Sequence, residues 1–389
     1  MAIADWRLFL EFGILAAKIG VVIGVVLGLV SYTVLAERKL SAMIQERVGP
    51  NRVGFPIFNI GGFLGLGQPI ADSLKLLLKE DFTPSHVHKF YFHLAPALAM
   101  IPAMICLALI PFGSVLDFRR YAYDLPLLAT FAESFCIPVV IANVNAGVLL
   151  AFAITSFSSY GIVLAGWSSR SQYPFLGGLR ACAQLISYEL ALGLSVIPVF
   201  LIVGSLNLNE ITVYQMKNGW LAFPFFAEQW QLKSFVYWVP LAISFVIFLS
   251  ASFAETNRLP FDLPESETEL VGGHHTEYSS MKFALFFLGE YTAMIVASCL
   301  VVVLFWGGWS LPGLGFPLVP SGEYNLKFGL LNIMTFGAKL VTFLVFFIWV
   351  RWTLPRFRYD QLMNLGWKIL LPAALANTLF AGLLVALLN

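Results

Sequence analysis

Charge is what this chain has least of. Its 389 residues hold 23 Lys and Arg against 22 Asp and Glu, a charged share of 12% where a soluble domain carries roughly 25%. Hydrophobic residues make up 59%, and mean hydropathy is +0.82, which excludes a soluble globular class. The formal charge of +1 gives no basic field by which to hold nucleic acid. Cysteine is sparse too: Cys106, Cys136, Cys182 and Cys299 lie far apart in apolar runs. With no CxxC or Cys/His spacing, an Fe–S cluster, zinc site or c-type haem built by this chain alone is not expected. No glycine pattern follows a strand, so no flavin or nucleotide fingerprint is present. The acidic start "MAIADWRLFLEFG" and the lack of a small-residue cleavage site argue against a removable signal peptide.

What is present is a series of long apolar runs. A membrane-crossing helix needs about 20 apolar residues, and eight runs qualify: 12–35, 90–113, 146–168, 181–204, 235–255, 283–306, 328–350 and 369–388. Segment 125–142 is apolar but short, and it contains Glu133 and two prolines. Basic residues arbitrate, because cytoplasmic loops attract them. With eight spans, loops 36–89, 169–180, 256–282 and 351–368 share one side and carry fifteen Lys and Arg, against six on the other side. A ninth span would destroy that asymmetry. Segment 125–142 is therefore read as an interfacial or re-entrant part of an outer insertion, 114–145, and both termini are placed outside. The expected fold is an all-α polytopic membrane protein forming one transmembrane domain over 1–389. It has about eight transmembrane helices plus an interfacial amphipathic helix in the first cytoplasmic loop. That last helix is read from "PIADSLKLLLKED", where Ile70, Leu74, Leu77 and Leu78 share one face and Asp72, Lys75 and Lys79 the other. Gly20, Gly24 and Gly28 form a small-residue face in the first span, suited to close helix packing.

Ionisable groups at membrane depth are costly and commonly functional. Glu189 and Glu290 lie inside the fourth and sixth spans, Lys339 near the middle of the seventh, and Glu37 and Glu255 close the first and fifth. One reading has Lys339 tie helices together through one of the glutamates. The other has the carboxylates, at similar depth in neighbouring spans, form a proton-conducting path. The loop after the fifth span concentrates the acid: Glu255, Asp262, Glu265, Glu267, Glu269 and Glu277, with Arg258 among them. Acidic residues do little to set topology, so keeping the loop out of the bilayer does not account for the clustering. Pro260 and Pro264 fix φ and favour a shaped wall. The histidines, His86, His88, His93 and the adjacent His274 and His275, lack companion ligands and do not suggest a metal site.

Five stretches, taken in order, carry a family resemblance: "VLAERKLSAMIQERVGPNRVG", "QPIADSLKLLLKED", "GWSSRSQYPFLGGLRACAQLISYEL", "FAETNRLPFDLPESETELVGGHHTEYSSMKFALFFLGEY" and "RWTLPRFRYDQLMNLGWK". Across nearly all spans and cytoplasmic loops the chain resembles the H subunits of bacterial NADH-quinone oxidoreductases, the membrane subunits of respiratory complex I that form much of its quinone chamber. The resemblance implies a place around that chamber for Arg38, Arg47, Asp72 and Arg351, and for Arg258, Asp262, Glu265, Glu267 and Glu269 of the acidic loop. It implies a buried proton axis through Glu37, Glu189, Glu255 and Glu290, to which Lys339 is added as a charge at membrane depth. It further implies quinone, such as ubiquinone, as the substrate, with NADH, FMN and the Fe–S clusters carried by partner subunits. Those partners would be the hydrophilic-arm Fe–S and quinone-site subunits, small membrane subunits and antiporter-like subunits, in a bacterial inner membrane. No catalytic residue or metal site is assigned to this chain alone. Two departures stand out. The insertion 114–145 is longer than the family connector, and Thr155 and Ser156 stand in the third span where the family axis can carry an acid, with Glu133 as a substitute acid in the insertion. Two other readings remain: a homologous component of a membrane-bound hydrogenase or ferredoxin-driven complex, and an independent ion or solute carrier. Long, motif-rich cytoplasmic loops suit a docked subunit better than an isolated carrier.

Overall fold

The computed structural model describes residues 2–54, 65–119, 135–223, 232–264, 267–311 and 326–388. Among them, eight helices are long and apolar enough to cross a membrane, matching the number expected from hydropathy. The spanning helices are α1 (Ala2–Ile44), α3 (Lys89–Cys106), α4 (Gly147–Ser168), α5 (Gln172–Val203), α7 (Leu232–Glu255), α9 (Ser280–Phe305), α10 (Leu326–Thr353) and α12 (Leu371–Leu388). Between them lie the shorter α2 (Gln68–Leu78), α6 (Leu208–Asn218), α8 (Glu267–Leu270) and α11 (Tyr359–Asn364), the last joined to α12 by a π-helical turn over 365–370. Among the described residues the architecture is all-α apart from one pair of three-residue strands.

Helix α9 is the central post. It is apolar all round, and such a helix belongs in a core. From Met294 to Phe305 every side chain is buried. Its C-terminal end is capped by two other elements. Gln215 of α6 donates to the carbonyls of Val303 at 2.7 Å and Leu304 at 3.2 Å. Lys339 of α10 donates to the carbonyls of Trp306 and Gly308 at 2.7 and 2.9 Å, and to that of Ser310 at 2.5 Å. A cation suits a helix C-terminus, where unsatisfied carbonyls carry partial negative charge.

The helices approach closely where glycine permits. Ala99 of α3 sits between Gly161 of α4 and Gly289 of α9: a Cβ on Gly161 would lie 2.5 Å from Ala99 N, and one on Gly289 would lie 3.1 Å from Ala99 O. The expected packing face at Gly20, Gly24 and Gly28 behaves differently. No heavy atom comes within 4 Å of a Cβ built at any of the three, so that face is not used for packing between the described helices of this chain.

Between α1 and α3, α2 forms at the expected place, with proline in its first turn, where the missing N–H costs nothing. Its apolar residues Ile70, Leu74, Leu77 and Leu78 are all exposed, as an interfacial helix requires. It is held by its polar side. Asp72 pairs with Arg38 at 2.7 Å, and Ser280 at the start of α9 donates to the Leu76 and Lys79 carbonyls at 2.9 and 3.0 Å.

Between α3 and α4 the described ends of the insertion 114–145 form two paired strands, β1 (Val115–Asp117) and β2 (Cys136–Pro138), antiparallel with Val115 opposite Pro138. Residues 120–134, including Glu133, lie outside the described residues. The strand pair is pinned by Asn332 of α10, which donates to Ser114 Oγ at 2.8 Å, and by Lys18 of α1, which donates to the Val140 carbonyl at 3.3 Å.

The Ala99 crossing yields a stability prediction. Gly161→Ala must push α3 and α4 apart, an overpacking cost of about 1–3 kcal/mol. Gly193→Ala, where nothing stands within 4 Å, is expected to be neutral or mildly stabilising. The unfolding midpoints of the two variants in detergent check the difference.

Candidate functional site

Helices α1, α9 and α10 converge on one carboxylate. Glu37, 5% exposed, is reached from three directions. Tyr291 of α9 donates its hydroxyl to Glu37 Oε2 at 2.6 Å. Arg351, in the last turn of α10, donates to Glu37 Oε1 in a close ion pair. Arg258, just past the end of α7, approaches with Nη1 at 3.4 Å. Arg258 is itself shared: its Nε lies 2.8 Å from Glu290 Oε1, an ion pair without hydrogen-bond alignment, and its guanidinium stacks 4.2 Å from the centre of the Tyr291 ring. Only 5% of Arg258 is exposed. Such burial is tolerable because carboxylates face it on two sides. Asp262 continues the network outward, paired with Arg356 at 3.0 Å. Burial raises the Asp262 carboxyl above its ordinary pKa, against the opposing pull of Arg356, Arg351 and Arg258.

The acidic loop is positioned from below by a residue without charge. Gln184 of α5, 1% exposed, donates its amide to Ala254 O at 2.8 Å, Phe261 O at 2.9 Å and Asn257 Oδ1 at 3.1 Å. One side chain thus clamps the end of α7 to the turn that carries Arg258. Its neighbour Tyr188 donates to the Leu362 carbonyl of α11 at 2.8 Å and packs edge-on against Phe261.

A second acid pair lies deeper in the bundle. Glu189 of α5 accepts a close hydrogen bond from Ser156 of α4. Glu255, the last residue of α7, interacts electrostatically with Glu189. Of the two residues that stand in place of a third-span acid, Ser156 therefore contacts a carboxylate, while Thr155 donates to the Phe152 carbonyl at 3.0 Å. Between this pair and the Arg258 network is a cavity of about 50 Å³, lined by Glu255, Glu290, Ser158, His274, His275 and Phe286 among others. It is polar enough and large enough to hold water.

The other residues singled out from the sequence are spread more widely. Arg38 and Asp72 pair with each other at the α1–α2 junction. Arg47 donates to Gln45 at 2.8 Å on the exposed surface. Glu269 pairs with Arg180 of α5 at 2.6 Å. Glu267 opens the one-turn helix α8; Glu265 lies outside the described residues. Lys339 is not brought to the glutamates: it serves the carbonyls just past the end of α9 and stacks 4.4 Å from the Trp220 ring. Among the described residues no group of three or more His, Cys, Asp or Glu side chains is placed to hold a metal. Sequence reasoning missed Tyr291, Gln184, Asn257 and Arg356. A polar amide at span depth, in "ACAQLISYEL", was the one available signal for Gln184.

A family model described as NADH dehydrogenase matches residues 17–382. An H subunit of NADH-quinone oxidoreductase from Koribacter versatilis, the one numbered 2, is 45% identical over 372 residues, covering 95% of this chain and 96% of that protein. The H subunit of NADH-quinone oxidoreductase from Leptospira biflexa is 45% identical over 380 residues, covering 97% and 96%. NADH-quinone oxidoreductase subunit 8 of Rhodothermus marinus is 47% identical over 361 residues, covering 92% and 93%.

The Glu37 node generates a graded prediction. Glu37→Gln leaves Arg351 without its carboxylate and is expected to cost about 3–5 kcal/mol. Tyr291→Phe removes one hydrogen bond to a charged group, a loss of about 1.5–3 kcal/mol. Thermal unfolding in detergent should rank the two in that order.

Proposed function

The chain belongs to the NADH dehydrogenase family of membrane proteins that includes the H subunits of NADH-quinone oxidoreductases, and from that membership we propose that its cytoplasmic end forms a wall of a quinone chamber and that Glu37, Glu290, Glu255 and Glu189 begin a buried proton axis. The chain is homologous to a membrane-arm component of complex I, a multi-subunit redox enzyme. In this reading NADH, FMN and the Fe–S clusters reside on partner subunits docked on the cytoplasmic loops, and electrons arrive from them. The host membrane is the bacterial inner membrane.

One observation carries the proton axis. Glu290 and Glu255 come from different helices, yet they line the same water-sized cavity, and Glu290 is paired with the arginine that also reaches Glu37. Quinone reduction to quinol takes up two electrons and two protons. Negative charge developing on the quinone near Arg351 and Arg356 competes with Glu37 and Asp262 for those guanidiniums. A carboxylate that loses its cationic partner gains affinity for a proton. Asp262, whose carboxyl burial already raises, gains proton affinity in this way. Protonation of Glu37 would in turn free Arg258 to favour Glu290. The charge change then passes through the cavity to Glu255, and on to Glu189 and Ser156. The loop arginines balance the acidic wall and stabilise quinone oxygens as they gain charge. Arg38 and Asp72, at the junction of α1 with an interfacial helix, frame the side of this region facing the bilayer.

Glu189→Gln and Glu255→Gln in the assembled complex test the axis. Proton translocation coupled to NADH oxidation by quinone is expected to fall about tenfold or more in each. NADH oxidation by ferricyanide, which draws electrons upstream of quinone, should stay unchanged. Wild-type translocation in both variants would refute the reading.

A further inference from the structure

The loop between Leu270 and Ser280 does more than join two helices. Val271 and Gly273 adopt positive φ values of 66° and 63°, which turn the chain inward. The turn is seated against α5, where a Cβ on Gly177 would lie 2.8 Å from Gly273 Cα and 2.9 Å from His274 N. The result is a histidine driven to the interior. His274 is 4% exposed, with its ring 5.0 Å from that of His275 and 5.4 Å from Phe286, both approached edge to face. Its Nδ1 is buried and has no hydrogen-bond partner among the described residues. Buried polar atoms in native proteins find protein or water partners almost without exception.

Both imidazoles line the cavity that Glu255 and Glu290 share. The other polar groups of its wall are committed elsewhere or sit on one side. The Thr256 hydroxyl donates to the Ser252 carbonyl at 3.0 Å, and Asn257 Oδ1 accepts from Gln184 at 3.1 Å. Helix α4 offers Ser158, whose hydroxyl donates to the Thr155 carbonyl at 2.8 Å, while α3 presents Ala99, α5 Leu185, and α9 Phe286 and Phe287 beside Glu290. The ionisable groups facing the space are thus Glu255, Glu290, His274 and His275, with Arg258 behind Glu290.

Building on the proton-axis reading above, we propose that His274 is a positioning residue that holds the water bridging Glu290 to Glu255. A neutral imidazole suits this role, because it has one donor and one acceptor nitrogen and can orient water toward either carboxyl group. Burial pushes the His274 imidazole down to about 3 and that of His275 to about 4, so both stay uncharged at neutral pH. His274 therefore acts as a dipole within the route and does not store the proton.

The test uses His274→Phe, His274→Leu, His274→Gln and His274→Asn in the assembled complex. Two readouts are taken: proton translocation coupled to NADH:quinone turnover, and the carboxyl C=O stretching bands in infrared difference spectra, assigned with Glu255→Gln and Glu290→Gln. Phe and Leu are expected to lower translocation about tenfold and shift a carboxyl band, while Gln or Asn recovers most of the rate. Equal behaviour of Phe and Gln, or a better rate with Phe, would overturn the proposal, because packing alone would then explain the site. Ferricyanide reduction and assembled yield identify any variant that fails to fold; for such a variant the band position in the Gln replacement decides. If Glu255→Gln abolishes translocation while His274→Phe does not, this proposal falls and the proton axis stands. If Glu255→Gln changes nothing, the axis itself falls.

Discussion

Arg258 is the residue on which the end of the bundle around Glu37 depends. A guanidinium almost withdrawn from solvent has to be met by anions, and it is met on two sides, by Glu37 from α1 and Glu290 from α9. Each of those carboxylates would be costly at its depth without the arginine, and the arginine would be costly without them. Tyr291 completes the arrangement by donating to Glu37 while offering its ring face to the guanidinium. The network therefore fixes the positions of three helices and a loop by mutual need. An element of this kind is also able to switch, because protonating one carboxylate redistributes the arginine toward the others.

The deeper half is organised by close packing. Ala99 can sit between α4 and α9 only because Gly161 and Gly289 leave room, and Ser158 of α4 and Glu290 of α9 line one small cavity beside that crossing. The same economy recurs at Gly177, which lets the His274 turn press against α5. Small residues in membrane helices thus admit other backbones, and here the admitted backbone carries polar groups to a place that hydrocarbon would otherwise fill. The C-terminal end of α9 has the opposite character. Lys339 and Gln215 are committed to carbonyls at and just past that helix end, which makes it a fixed cap.

Much of this was legible in the sequence because hydropathy and charge bias report directly on the bilayer. The eight spans and the amphipathic α2 follow from apolar run length and helical periodicity. Helix ends were less legible. Helix α5 begins at Gln172, nine residues before the apolar run, and α1 continues to Ile44, because hydropathy marks the hydrocarbon and not the helix. The family resemblance implied a chamber around Arg258 and Arg351 and an axis through Glu37 and Glu290; that the four meet in one network was not legible, since ion-pair choice depends on helix rotation. Lys339 was misleading for a plain reason: its partners are backbone carbonyls, which leave no trace in residue identity. His274 resembled a solvated loop residue because nothing local reveals that Gly273 turns the chain inward. The glycines at 20, 24 and 28 carried the expected pattern, while the glycines in contact, 161 and 289, belong to no shared motif.

In the proposed route the Arg258 network and the Glu255–Glu189 pair are joined into one continuous hydrophilic path. A cryo-EM map of the assembled complex, at a resolution that shows ordered water, examines that continuity at its narrowest point. Water is expected in the cavity, within about 2.6–3.2 Å of both the Glu290 and Glu255 carboxyl groups or linking them through His274. A dry cavity, with the two carboxyl groups separated by packed apolar side chains, would contradict the route.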